Sequence, residues 1–158
     1  FGLNYEKYFP LSRKFYGGWL LESVISNQPF FSNYQGTLLN APAFNPLIDS
    51  KTRIIPEFRA FQYAAAGLRA IYKPTTRFDI RLEGFTFLPI SHLFEQEPQV
   101  PETAFLDGTI HFAGTMNAVY HTPVGPISLS LNYYEPLNNP WSIMFHAGFL
   151  LFNKRSFE

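Results

Sequence analysis

From Ile127 to Tyr134 the chain reads Ile-Ser-Leu-Ser-Leu-Asn-Tyr-Tyr, and from Trp141 to Leu151 it reads Trp-Ser-Ile-Met-Phe-His-Ala-Gly-Phe-Leu-Leu. Odd positions carry Ile127, Leu129, Leu131, Ile143, Phe145 and Phe149; even positions carry Ser128, Ser130, Asn132, Ser142, Met144 and His146. Successive side chains on a strand point to opposite faces, so each run has an apolar and a wetter face. A soluble sandwich would turn the apolar face to a core; a membrane barrel turns it to lipid and the polar face to a lumen.

Working outward, the same period recurs upstream. Phe78, Ile80 and Leu82 alternate with Asp79, Arg81 and Glu83; Ile110, Phe112, Met116 and Tyr120 oppose Asp107, Thr109, His111, Thr115 and Asn117. The pattern predicts seven strands, at about 2–9, 15–25, 58–72, 77–87, 106–120, 127–134 and 141–151. Short turns at Pro10–Arg13, Lys73–Thr75 and Thr122–Val124 alternate with longer connections: 27–56, 89–101 and 135–140. Outer-membrane barrels show this asymmetry, with short periplasmic turns and long extracellular loops. We therefore expect an all-β chain, part of an antiparallel transmembrane β-barrel, with its C-terminus in the periplasm.

Composition agrees with strands rather than membrane helices. Aromatics make up 18% of the 158 residues, yet mean hydropathy is only −0.07, because barrel strands need apolar groups at alternate positions only. No run approaches the roughly 20 apolar residues of a membrane helix, whereas tilted barrel strands need about 9–11. Twelve basic and twelve acidic residues balance, which argues against a nucleic-acid surface. There is no cysteine, hence no disulfide or thiolate chemistry. We read 1–158 as one domain, the C-terminal part of a longer protein: seven strands do not close a typical single-chain barrel, and an open edge in lipid leaves backbone groups unpaired. The missing strands would come from upstream sequence or a second chain.

The stretch Gly114 to Leu129, with Thr122-Pro123-Val124-Gly125-Pro126 at its centre, resembles the penultimate hairpin of the Omp-eighty-five superfamily of BamA and TamA type. Independently of any family, Pro123 and Pro126 need no ladder donor there and Gly125 can take a positive φ. The Ser142–Phe149 run resembles the family's final strand, although Phe157 is penultimate rather than terminal. Tyr8-Phe9-Pro10-Leu11 is similar to a family turn. The resemblance implies a long loop folded into the lumen and tipped by Val-Arg-Gly-(Phe/Tyr). Asn27 to Pro56 is the candidate loop, and Phe58-Arg59-Ala60-Phe61 the nearest match to its tip. On that basis Arg59 is expected to pin the loop by pairing with Asp79 or Glu83, a bidentate geometry suited to guanidinium and carboxylate.

No Gly-x-Ser-x-Gly elbow, triad spacing, phosphate-cradling loop or metal-ligand cluster appears, so neither catalytic residues, metal nor cofactor are expected in this segment. Asn132-Tyr133-Tyr134-Glu135 and Phe149-Leu150-Leu151-Phe152-Asn153 are similar to barrel-fused patatin-like phospholipases. This resemblance implies a barrel module that anchors or exports an upstream esterase domain, in the bacterial outer membrane. The alternatives are an insertase or translocase barrel and a passive porin. Expected partners are outer-membrane lipid, an upstream domain or second barrel chain, and other outer-membrane proteins.

Overall fold

The computed structural model describes residues 1–47, 49–51, 53–97, 100–105 and 108–148. Its strands are β1 (Gly2–Pro10), β2 (Phe15–Ile25), β3 (Gln62–Thr75), β4 (Phe78–Pro89), β5 (Ser91–Glu97), β6 (Val100–Phe105), β7 (His111–His121), β8 (Pro126–Tyr134) and β9 (Trp141–Ala147). Seven of them form one antiparallel sheet in the order β1-β2-β3-β4-β7-β8-β9, and β5 pairs with β6 in a separate hairpin. Apart from that hairpin, every strand lies beside its sequence neighbour. Among the described residues β1 and β9 are the sheet's two edges.

The register fixes the faces, because directly opposed residues share one. One row runs Glu6, Leu20, Gly67, Phe85, Ala113, Tyr134. The adjacent row on the other face runs Lys7, Trp19, Leu68, Gly84, Gly114, Tyr133, Trp141. The first face is covered by the segment between β2 and β3, which packs Phe44, Leu47, Ile55, Phe58 and Ala60 onto Tyr63, Ala65, Phe85, Phe87 and Tyr134. The second face is open. Of the residues that the register places on it, Lys7 alone is charged. Leu68 is 73% and Ile143 75% exposed there, and Leu82 and Phe145 are exposed too.

All seven expected sheet strands have counterparts, but two start late: the third begins at Gln62, not Phe58, and the fifth at His111, not Leu106. Pro56 opens a short 3-10 turn over Pro56–Phe58, and Arg59 bridges Ala43 before the ladder starts. The expected 89–101 loop instead holds most of the β5–β6 hairpin, and the next sheet strand starts at His111 rather than 106. Both strands of a two-stranded hairpin are edges, so Pro101 can sit in β6 without breaking a central ladder. The 27–56 connection contains a helix that the sequence reading missed, α1 (Tyr34–Asn40), whose Asn33 side chain accepts from the Gly36 N–H at 2.7 Å. α1 packs Leu38 and Ala41 against Phe61 and Leu93 of β5, and so ties the hairpin to the covering segment.

Candidate functional site

The covered face divides into an apolar half near the long connections and a polar half near the short turns. In the apolar half, Phe44 is the centre of an aromatic cluster. Its ring stacks on Phe87 (centroids 5.8 Å apart, planes at 15°) and lies within 6.3 Å of Phe58, Tyr63 and Phe85. These large rings fit because the sheet beneath is thin: the Phe85 ring lies across Gly67, where a built Cβ would meet its Cε1 at 2.7 Å.

Polar ties hold the segment at its margin. The Tyr134 hydroxyl donates to Asp49 Oδ1 at 2.6 Å, Ser142 Oγ donates to Oδ2 at 3.4 Å, and Arg53 Nε lies 3.4 Å from Oδ2. The loop is therefore pinned by its own acid to β8 and β9. Tyr63 on β3 donates its hydroxyl to Glu22 on β2, a part-buried tie within the sheet in the same half.

The expected Arg59 pin is corrected. Arg59 Nη1 donates to the carbonyls of Leu38 (3.3 Å), Leu39 (3.0 Å) and Ala41 (3.3 Å), capping the C-terminus of α1. The last carbonyls of a helix lack partners within it and carry its negative end, so they attract a guanidinium. Burial lowers the Arg59 pKa below the ordinary arginine value, and the group stays charged. Asp79 and Glu83 do lie on the covered face, but their partners come from the sheet itself. Arg81 Nη2 donates to Asp79 at 2.9 Å, His121 Nε2 lies 3.0 Å from the same oxygen, and Arg69 Nε lies 3.0 Å from Glu83. Arg59→Ala is accordingly expected to fray α1 and loosen its packing on Leu93, at a cost of about 1–2 kcal/mol. Faster hydrogen exchange at the Thr37 and Ala41 amides, with those of β4 unchanged, would check it.

In the polar half, Arg69 is the hub. It contacts the Glu6 carboxylate and the Tyr8 hydroxyl on β1 as well as Glu83 on β4, with its guanidinium 5.8 Å from the Tyr8 ring and 5.5 Å from that of Phe85. β2 lies between β1 and β3, and Gly18 makes the crossing possible: a Cβ there would lie 2.8 Å from the Tyr8 ring. Next to the hub Thr115 donates to Asn132 at 2.7 Å, and Asn117, Ser128 and Ser130 are buried.

The other expected residues are placed as follows. Ile127, Leu129, Leu131, Ile143 and Phe145 all lie on the open face and are exposed, while Ser128 and Asn132 lie buried on the covered face. Phe149 and Asp107 lie outside the described residues. Pro123 and Gly125 lie in the β7–β8 turn, closed by paired bonds between Thr122 and Gly125 and with Gly125 at φ 156°, and Pro126 opens β8. His111 and His146 share the covered face on strands separated by β8. No group of three or more potential His, Asp or Glu metal ligands occurs among the described residues. No protein-family model, curated protein or solved structure matches the chain, and the geometry of the two faces is what a functional reading rests on.

Proposed function

We propose that this chain forms seven membrane-spanning strands of a bacterial outer-membrane β-barrel, closed on its lumenal side by the 26–61 segment. In this reading the barrel anchors or exports an upstream patatin-like esterase domain. One observation carries the membrane part: an apolar face that continues across seven strands with Lys7 as its sole charge. Soluble monomers rarely leave contiguous apolar patches beyond a few hundred Å² uncovered, whereas lipid covers such a face without cost. β1 to β4, β7 and β8 run 9–14 residues, at or above the roughly 9–11 that span a bilayer at a tilt. In such a barrel edges β1 and β9 need partners within the membrane, from further strands of the same protein or from a second chain.

The filled apolar half of the covered face favours a closed anchor over a passive porin, whose lumen is wet and polar-lined. The esterase assignment draws on the resemblance of Asn132–Glu135 and Phe149–Asn153, and an insertase barrel is the second reading. The C-terminus would then face the periplasm, on the side of the short turns.

The full protein, reconstituted in a planar bilayer, is expected to show no steady conductance. Replacing residues 30–57 by a short Gly/Ser linker should open a stable ionic pathway. Steady conductance before the deletion would return the porin reading to first place. Failure of the protein to float with phosphatidylcholine vesicles on a density gradient would remove the membrane reading altogether. Esterase activity of the same preparation on a fluorogenic lipid ester decides between the anchor and the insertase.

A further inference from the structure

The register gathers polar side chains of the covered face where β4, β7 and β8 run side by side. Glu83, Thr115 and Asn132 share one row across these strands, and Arg81, Asn117 and Ser130 share the next. All of these but Arg81 line a cavity of about 40 Å³, roofed by Pro46 and Leu47 of the covering segment. Ser130 and Asn132 are each 2% exposed and Leu47 is 4% exposed, so the chamber is largely shut off from solvent.

Two buried polar atoms in this lining have no protein partner, Asn117 Oδ1 and Asn132 Nδ2. Their residues are only 8% and 2% exposed. The Thr115 hydroxyl donates to Asn132 Oδ1 at 2.7 Å, which leaves Nδ2 as the free end of that amide. An unpaired donor or acceptor in an interior costs its full desolvation, so native proteins pair such groups with other protein atoms or with ordered water.

One free acceptor and one free donor call for a ligand that both donates and accepts. Charge argues against a cation. Glu83 is already matched by Arg69 at 3.0 Å, the adjacent row adds the guanidinium of Arg81, and the free amide N–H groups of Asn132 repel a positive ion. Size argues against anything larger than water, since a polar cavity needs about 10–15 Å³ for each molecule it holds. We propose that the chamber binds a fixed cluster of about two water molecules, which donate to Asn117 Oδ1 and the Glu83 carboxylate and accept from Asn132 Nδ2. The cluster joins β4, β7 and β8 from within, beneath the closing segment. The closed interior is then dry in its aromatic half, while its polar half carries bound rather than bulk water.

Magic-angle-spinning NMR of the full protein in lipid tests this by following the transfer of magnetisation from water to protein protons. The Asn132 side-chain amide, identified by its loss in Asn132→Ser, should receive it. The Ala60 amide should not: that residue is 0% exposed in the apolar half, and its N–H donates to the Pro42 carbonyl. No transfer to Asn132, or equal transfer to Asn132 and Ala60, would overturn the proposal. Asn117→Leu puts a larger, apolar side chain into the chamber and should abolish the transfer to Asn132. Persistence in that variant would mean that bulk water or exchange from the Thr115 and Ser130 hydroxyls supplies the signal, and either outcome sinks the bound cluster. Should Asn117→Leu not fold, unfolding of the wild type in sodium chloride and in choline chloride at equal ionic strength decides. The same midpoint is expected in both. A lower midpoint in choline would identify a sodium ion as the occupant and refute the water site.

Discussion

Phe44→Ala should release the 26–61 segment from the sheet while leaving the strands paired. Phe44 is 2% exposed and its ring touches four other aromatic side chains, two of them on β4. Truncating a buried Phe costs about 3–5 kcal/mol through lost burial and the cavity left behind. Here the loss falls on the contact between segment and sheet, not on the ladder, because Phe44 belongs to no strand. The equilibrium for local opening should shift by two to three orders of magnitude, at roughly 1.4 kcal/mol for each tenfold. The Phe44 and Ala60 amides report it, since both bond within the segment, to the Phe58 carbonyl (2.9 Å) and the Pro42 carbonyl (3.2 Å). Their hydrogen exchange should accelerate while that of Thr115 and Leu131, in the β7–β8 ladder, stays slow. Equal acceleration in both places would mean that segment and sheet open as one unit, and the idea of a separable closure would fall. The same variant in a planar bilayer should flicker between closed and conducting levels.

The sheet was legible in the sequence because its two faces differ so strongly in polarity: Ile127 to Tyr134 needs one look at alternate letters. The turns were legible because Pro123, Gly125 and Pro126 each suit a tight reversal and nothing else nearby competes. What stayed hidden depends on distance through space. Asp49 and Tyr134 are 85 residues apart, and no local pattern marks an aspartate as the partner of a particular tyrosine. Arg59 was misassigned for the same reason. Its sequence neighbours suggested a lumenal carboxylate, but the end of α1 lies closer, and three helix-end carbonyls satisfy a guanidinium well. α1 has only seven residues, too few for a 3.6-residue period to show; the one available signal was the capping Asn33. Prolines hid the β5–β6 hairpin, since they normally argue against a strand and are tolerated where each strand is an edge. Arg69 escaped notice because the Ala-rich start of β3 blurs its alternation, although Tyr8, Gly18 and Glu83 are what make it a hub.

Arg69→Ala should be the most damaging charge change in the sheet. The guanidinium serves two carboxylates of unequal value. Glu6 stands on the edge strand with its side chain 36% exposed, so that arm is screened and contributes about 0–1 kcal/mol. Glu83 is 19% and Arg69 14% exposed, a mostly desolvated pair, and breaking such a pair from one side costs about 3–5 kcal/mol because the remaining charge stays buried. The two rings flanking the guanidinium raise the loss, since its apolar faces pack on Tyr8 and Phe85. Arg69→Met with Glu83→Gln removes both charges and keeps the volume, so most of the stability should return. Urea unfolding of the protein in lipid, followed by tryptophan fluorescence, would give all three values. If the double variant is as unstable as Arg69→Ala, the stranded charge at Glu83 is not the cause. If Arg69→Ala itself costs less than about 1 kcal/mol, the pair is water-screened and the polar half of the covered face stays wet behind the closure. A marked loss in Arg69→Lys, which keeps the charge, would in turn show that the guanidinium's geometry matters: a single ammonium cannot hold β1 and β4 at once.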